Sequence, residues 1–344
     1  MKFLLLFFLV FILALPVSAV EIEAPAVPES GERLMPEAET FGEGLMMILK
    51  DLIPLIRPDL REASKVCIAI IATVIVSSVI QGTAESIKTT TNIAAVAGIS
   101  VAVLTSTGSL IHLASDTVTE MSEYGKLLFP VLTAALAAQG AIGTSAALFA
   151  ATTAVNSIIS GVISGLLIPV VYMYLAIGIA AAATGEGMLK KTRDLLKSAV
   201  SWCLKSILTV FTTYMTITGV VSGTTDAAAL KATKAAISSV VPVVGGILSN
   251  ASEAVLVSAS LAKNAAGVYG ILALLSIFLE PFLLISCHYI MLKVTGAICG
   301  IFGSSNISEL AGDLSGAMGL LLAMTGAVCI LFLVSSVCFL KGVS

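Results

Sequence analysis

Charged side chains are scarce in this chain of 344 residues, of which only 11% are Asp, Glu, Lys or Arg, whereas a soluble domain carries about 25%. The 18 basic residues are outnumbered by 21 acidic ones. Because there is no basic surplus to neutralise phosphates, nucleic acid is excluded as a partner. Hydrophobic residues reach 58%, which excludes a disordered chain. The composition therefore predicts a protein whose main solvent is the lipid bilayer.

Side chains that bind metals or catalyse reactions are also few. The two histidines, His112 and His288, belong to no HExxH motif and to no Cys/His cluster with zinc-binding spacing. No nucleotide-binding glycine loop or dinucleotide fingerprint occurs. We therefore expect no enzymatic activity, no cofactor and no metal site. The cysteines form no CxxC pair and are expected to pack as small hydrophobic residues; they are Cys67, Cys203, Cys287, Cys299, Cys329 and Cys338.

The first 19 residues have the features of a secretory signal peptide. A lysine at position 2 precedes an apolar run at 3–15, and small residues stand before a cleavage site after Ala19. An uncleaved anchor helix is the alternative, although the run is shorter than the roughly 20 residues that a span needs. Residues 20–44 contain seven glutamates and three prolines, which predicts an unstructured acidic linker outside the cytoplasmic membrane.

Residues 45–62 alternate apolar and charged side chains with helical spacing. Leu45, Ile48 and Leu52 fall on one side of a helix, and charged residues occupy the other. This pattern predicts an amphipathic segment in the membrane interface, and Pro54 and Pro58 are expected to break it into two pieces.

Residues 63–344 predict an all-α, polytopic membrane domain with about seven to nine spans, some of them broken or re-entrant. The uncharged block 127–185 has room for three tightly turned spans. One span plus a re-entrant hairpin near Gln139 is the alternative. The other candidate windows are 63–80, 93–114, 201–222, 237–262, 265–291 and 314–340.

Basic residues predict the orientation of these spans. The segment 186–205, interpreted as a loop, is expected in the cytoplasm because positive charge favours that side. The segment 115–126 is then an external loop. The basic loop is a candidate docking surface for a cytoplasmic partner, through Lys190, Lys191, Arg193 and Lys197.

The segment 218–270 departs most from a plain helical bundle, because charged residues there flank a Pro- and Gly-interrupted apolar run. Broken helices and charges at membrane depth are tolerated where they line a cavity or are buried in protein. A lined passage, an external hairpin with solvated charges and a partner-docking surface all remain open. The candidate residues are Asp226, Lys231, Lys234, Asn250 and Glu253.

Glu280 is a further candidate, because it precedes Pro281 inside an apolar run and His288 lies two turns further along. A proton-relay pair with His288 is one interpretation. A neutral, hydrogen-bonded glutamate at a helix junction is the other.

Several long runs within residues 218–270 closely resemble the stage III sporulation protein AE family of endospore-forming bacteria. The runs are TGVVSGTTDAAALKATKAAISS, VPVVGGILSNASEAVL and KNAAGVYGIL, and WCLKSILTVF fits upstream. The likeness extends from about residue 63 to the end of the chain.

The resemblance implies a membrane subunit of a channel or export complex between mother cell and forespore, needed for late forespore development. It implies a mother-cell membrane location facing the forespore, with membrane and ring-forming subunits and a secretion-type ATPase as partners. Two alternatives are a non-conducting scaffold that recruits the ATPase through the basic loop, and a self-contained secondary transporter. The family brings no established catalytic residues.

Overall fold

The computed structural model describes residues 25–38, 40–83, 88–138, 142–217, 265–302 and 305–341. These ranges are almost entirely helical and contain no strand, which confirms the predicted all-α class. The helices are α1 (Glu29–Glu32), α2 (Phe41–Thr83), α3 (Lys88–Ala138), α4 (Ile142–Val162), α5 (Ile168–Thr184), α6 (Gly187–Ile217), α7 (Ala265–Ile301) and α8 (Ser305–Lys341), with a π-helical segment at Ile163–Leu167 between α4 and α5.

Six helical stretches in these ranges have the length and apolar character needed to cross a membrane. The protein is therefore a polytopic helical membrane protein. The predicted span 237–262 lies outside the described residues, so the total of seven to nine stays a prediction. The six stretches are Phe41–Gly82, Thr89–Ala134, Thr152–Thr184, Gly187–Thr213, Gly267–Ile301 and Asn306–Phe339.

Helix α8 is the centre of the bundle. Of its most apolar window, 94% is buried inside the protein. Glycines bring α7 close to it: the Ser308 hydroxyl donates to the Gly296 carbonyl at 2.8 Å, and a Cβ on Gly296 would lie 3.3 Å from the Ala311 Cβ. On the α3 side, the Phe129 and Phe332 rings stack with centroids 5.7 Å apart. Close backbone approach and ring stacking thus supply packing that lipid exclusion alone does not.

Helix α2 runs unbroken through Pro54 and Pro58, so the expected break is wrong. Each proline removes one backbone hydrogen bond, but both prolines are exposed, so the loss falls on the outer side of the helix and not in the core. Ile48 and Leu52 before the prolines and Ala63 after them are buried. Because both ends of the segment are packed, the helix continues through it.

The expected external loop at 115–126 is also wrong, because it lies inside α3. The residues that favour a helix here are apolar ones with helical spacing: Ala114, Val118 and Met121 are each buried. The charged residues Asp116, Glu123 and Lys126 point outward from the same helix.

The uncharged block 127–185 contains two helical segments among its described residues, the end of α3 and the continuous stretch α4–π–α5. The alternative with three tightly turned spans is therefore wrong. The predicted re-entrant hairpin near Gln139 falls outside the described residues.

The predicted acidic linker is folded where the structure describes it. Leu34 and Phe41 are buried, and the Ser276 hydroxyl of α7 donates to the Leu34 carbonyl at 3.3 Å. The Ser30 hydroxyl donates to the Glu120 carboxylate of α3. The expectation of an unstructured segment rested on its glutamates and prolines, and it missed the few apolar side chains that dock this segment on α7. The predicted signal peptide lies outside the described residues.

Candidate functional site

A tight hairpin between α5 and α6 positions the most charged part of the molecule. Gly185 takes a left-handed conformation with φ 74°, which glycine adopts without steric cost, and its N–H donates to the Ala181 carbonyl at 2.8 Å. Helix α6 then begins at Gly187. The segment 186–205 is thus helical from Gly187 onward, and the expectation of a basic loop is wrong.

Basic residues on one face of α6 meet acidic residues on α8. Arg193 is central: its Nη1 lies 2.7 Å from Asp313 Oδ2 and 2.9 Å from Glu309 Oε1. The Lys190 Nζ lies 2.5 Å from Glu309 Oε2. We call Lys190, Arg193, Glu309 and Asp313 the charged cluster. Because the spacing is i,i+3 on α6 and i,i+4 on α8, each pair shares one helix face.

Small residues make room for this cluster inside the bundle. The Tyr174 hydroxyl of α5 donates to Asp313 Oδ1 at 3.3 Å. A Cβ on Gly178 would lie 3.0 Å from Asp313 Oδ2, and a Cβ on Gly316 would lie 2.5 Å from the Tyr174 hydroxyl and 3.2 Å from Lys197 Nζ. Glycines at 178 and 316 are therefore needed for the polar atoms to approach the helix backbones.

The charged cluster contains two cations and two carboxylates, and the exposed Asp194 adds a third carboxylate 2.9 Å from Arg193 Nη2. Arg193 and Asp313 are each 7% exposed. Removing one partner of such a buried pair leaves an uncompensated charge, which costs about 3–5 kcal/mol. The arrangement therefore joins the α5–α6 hairpin to the central helix α8. No group of three or more potential metal ligands occurs within the described ranges.

The four predicted docking residues do not form one exposed surface. Lys191 is exposed, whereas Lys190 and Lys197 are half-buried and Arg193 is buried. The charge of Lys190 and Arg193 is directed inward to Glu309 and Asp313. The sequence shows the basic residues but not which of them have a partner inside the protein.

Among the predicted passage residues, the structure describes Glu280 alone. Asp226, Lys231, Lys234, Asn250 and Glu253 lie outside the described residues. Glu280 is half-buried on α7, and the charges that act on it come from Arg33 and Asp59.

The His288 Nδ1 lies 2.9 Å from the Leu284 carbonyl of its own helix. The relay interpretation required Glu280 and His288 to act as a pair. No hydrogen bond or ion pair joins them in the described part of the chain.

Sequence reasoning missed a buried polar seam between α4 and α8. Asn156 donates from Nδ2 to the Ser335 hydroxyl at 3.2 Å. Asn156 Oδ1, Thr152 Oγ1 and Ser160 Oγ are buried and find no partner among the described residues. The three α4 residues follow each other at i,i+4 spacing, directly before the π-helical segment, and such segments are frequent at functional sites. We call Thr152, Asn156, Ser160 and Ser335 the polar seam.

The acidic residues of the charged cluster, Glu309 and Asp313, were also missed. Their i,i+4 spacing places both acids on one face of a helix, but it does not show which basic residues they meet. The aromatic member, Tyr174, gave no comparable signal within its apolar surroundings.

Comparison with known proteins gives one consistent result. The family model described as "Stage III sporulation protein AE" matches residues 37–341. A curated relative, stage III sporulation protein AE of Bacillus subtilis (strain 168), is 24% identical over 198 residues, covering 57% of this chain and 49% of the relative. The matched region thus spans about half the length of that relative. No solved structure matches the chain.

Proposed function

Because this chain belongs to the stage III sporulation protein AE family, we propose that it is a membrane subunit of a channel or export complex connecting mother cell and forespore. The match over residues 37–341 carries the proposal, and it supports a sporulation role directly. We place the protein in the mother-cell membrane facing the forespore, with its N-terminal segment outside the cytoplasm. Its proposed partners are other membrane and ring-forming subunits and a secretion-type ATPase. We propose neither an enzymatic activity nor a cofactor.

The polar seam supports a role beside a polar route through the bundle. Each buried polar group without a hydrogen-bond partner lowers the folding stability by about 1–3 kcal/mol. Several such groups in one seam therefore suggest a role other than stability. Thr152, Asn156 and Ser160 supply unused hydrogen-bonding groups within an apolar bundle. A passage subunit has a use for such groups, whereas a purely structural bundle packs better with apolar side chains.

The scaffold function is the second candidate, and one observation favours it. The first turn of helix α6 exposes Met188 to 75%, beside the exposed Lys191. Because Lys190 and Arg193 are bound inside the bundle, recruitment of an ATPase would use this outer face rather than the whole basic segment.

One experiment separates the two functions. Glu253→Gln and Glu280→Gln are introduced into the full chain in sporulating cells, and both late forespore gene expression and co-purification with the ATPase are measured. If the protein is a passage subunit, cells with these variants lose late forespore gene expression, while the ATPase still co-purifies with the complex. If both variants are silent and Lys191→Glu or Met188→Ala releases the ATPase, the protein is a scaffold.

A further inference from the structure

Helix α3 carries an outward face made only of polar residues. Between positions 105 and 126 every exposed residue is polar, and these residues recur with alternating spacings of four and three. A spacing that averages 3.5 keeps side chains on one face along a helix. We call this the polar face of α3: Thr105, Ser109, His112, Asp116, Thr119, Glu123 and Lys126.

Helix α2 carries an outward basic face. Lys50, Arg57 and Arg61 are exposed, and at 3.6 residues per turn they fall within roughly 40° of one another. Asp59 lies on another side, since it acts on Glu280 of α7. The buried residues Ile48 and Leu52 lie opposite. No ion pair involves the three basic residues within the described ranges.

The two faces lie at the same height in the molecule. Residues 63–67 of α2 and 103–110 of α3 line one small cleft, so these two stretches lie at about the same height. The helices are antiparallel, because α2 ends at Thr83 and α3 begins at Lys88, and so short a connection cannot lead from one end of a long helix to the other. Continuing along both helices from the middle of the cleft at about 1.5 Å per residue brings Arg57 within about one turn of Asp116, and Lys50 within about one turn of Glu123.

The charges match in both sign and spacing. Lys50 and Arg57 are seven residues apart on α2, and Asp116 and Glu123 are seven residues apart on α3. Because the helices run in opposite directions, the two basic residues and the two acidic residues fall in register. Within one chain the two sets form no ion pair among the residues described, so each face is left for a second molecule.

We propose that copies of this chain associate side by side, with Lys50 and Arg57 of one copy against Glu123 and Asp116 of the next. The two surfaces differ, so the contact is heterologous. Heterologous contacts repeat from copy to copy and close into a ring when the rotation allows. Copies in one membrane have the same orientation, and a symmetry axis along the membrane normal relates them without changing their height. The basic residues of one copy therefore stay level with the acidic residues of the next. The interface needs no other subunit.

Cross-linking between two tagged forms of the full chain tests this contact in membranes. One form carries Arg57→Cys and the other carries Asp116→Cys, both without the six native cysteines, and a short bifunctional thiol reagent is added. The expected product is a covalent dimer that carries both tags. Two copies of the same form should not cross-link. The pair Lys50→Cys with Asp116→Cys is the matched control, displaced by seven residues or about 10 Å, and should give little product.

Charge reversal gives an independent readout. Arg57→Glu in one form should lower cross-linking of Lys50→Cys with Glu123→Cys by about tenfold, and Asp116→Arg in the other form should restore it. No mixed dimer, or equal products from matched and displaced pairs, would overturn the proposal. Cross-linking between identical forms would also overturn it, because that result indicates a two-fold symmetric contact. These results concern only contacts between copies, so they leave the proposed channel function to its own test.

Discussion

Arg193 and Asp313 are 120 residues apart in the chain, yet the guanidinium Nη1 and the carboxylate Oδ2 lie 2.7 Å apart, with 9% of each side chain exposed. This pair connects a peripheral helix, α6, to the central helix α8. Two neighbouring residues extend this contact, because the Glu309 carboxylate accepts hydrogen bonds from both Arg193 and Lys190. The Arg193 guanidinium therefore links the α5–α6 hairpin to the central helix by a polar contact, beside the apolar packing of both helices.

Replacing Arg193 should destabilise the protein strongly. Arg193→Met leaves Asp313 buried without its cation, at a cost of about 3–5 kcal/mol. The thermal unfolding midpoint in detergent measures the loss. Asp313→Leu added to Arg193→Met should recover most of it, since a buried pair replaced by apolar residues is often neutral.

The control for this prediction is Lys191→Met, two residues away on the exposed side of α6. It should change stability by less than about 1 kcal/mol. Equal losses from Lys191→Met and Arg193→Met would show that the charged cluster has no special role.

Glycine 125 should be intolerant of a side chain. A Cβ at this position would collide with the Phe332 ring of the central helix, and overpacking of this kind costs about 1–3 kcal/mol. Gly98→Ala on the same helix is the matched control, because nothing lies within 4 Å of the added Cβ. Alanine there should stabilise α3 by about 1 kcal/mol. The two variants are compared by thermal unfolding in detergent, and opposite signs are expected.

The N-terminal segment should resist proteolysis at Arg33 as long as Leu34 is buried. Leu34 is 4% exposed, and Leu34→Ala removes contacts worth about 2–5 kcal/mol. Trypsin cleavage after Arg33 should therefore be faster in Leu34→Ala than in the unaltered chain. Met46→Ala, at a side chain 71% exposed, should leave the rate unchanged. Rapid cleavage in the unaltered chain would contradict a docked segment.

The polar seam should matter for function more than for stability. The double variant Asn156→Leu with Ser335→Ala removes both partners of one hydrogen bond, which is nearly neutral for folding. Late forespore gene expression should nevertheless fall. Ser336→Ala is the neighbouring control, because its hydroxyl bonds within its own helix, to the Phe332 carbonyl, and to no other described residue. Normal expression in the double variant would argue that the seam is structural.

The helical, membrane-spanning class was predictable because long apolar runs leave few alternatives. Three of the errors share one cause. Pro54 and Pro58, the charges at 115–126 and the basic residues at 190–197 were each interpreted as local signals for a break or a loop. In the structure all three lie within helices, because buried neighbours such as Leu52, Met121 and Val200 hold those helices in place. Local propensity is weaker than packing of this extent.

The charged cluster was only half predictable for a related reason. Lys190 and Arg193 were noticeable because they belong to a segment rich in basic residues. Their partners Glu309 and Asp313 follow more than 100 residues later in the chain. Which acid meets which base is decided by helix packing, and a single sequence does not contain that information in any local pattern.

We propose that this membrane protein serves a channel between mother cell and forespore. The most direct measurement is late forespore gene expression in sporulating cells that lack the chain, with and without a restored full-length copy. The account predicts that expression is lost without the chain and returns with the restored copy. Full expression and normal numbers of heat-resistant spores in its absence would contradict the account.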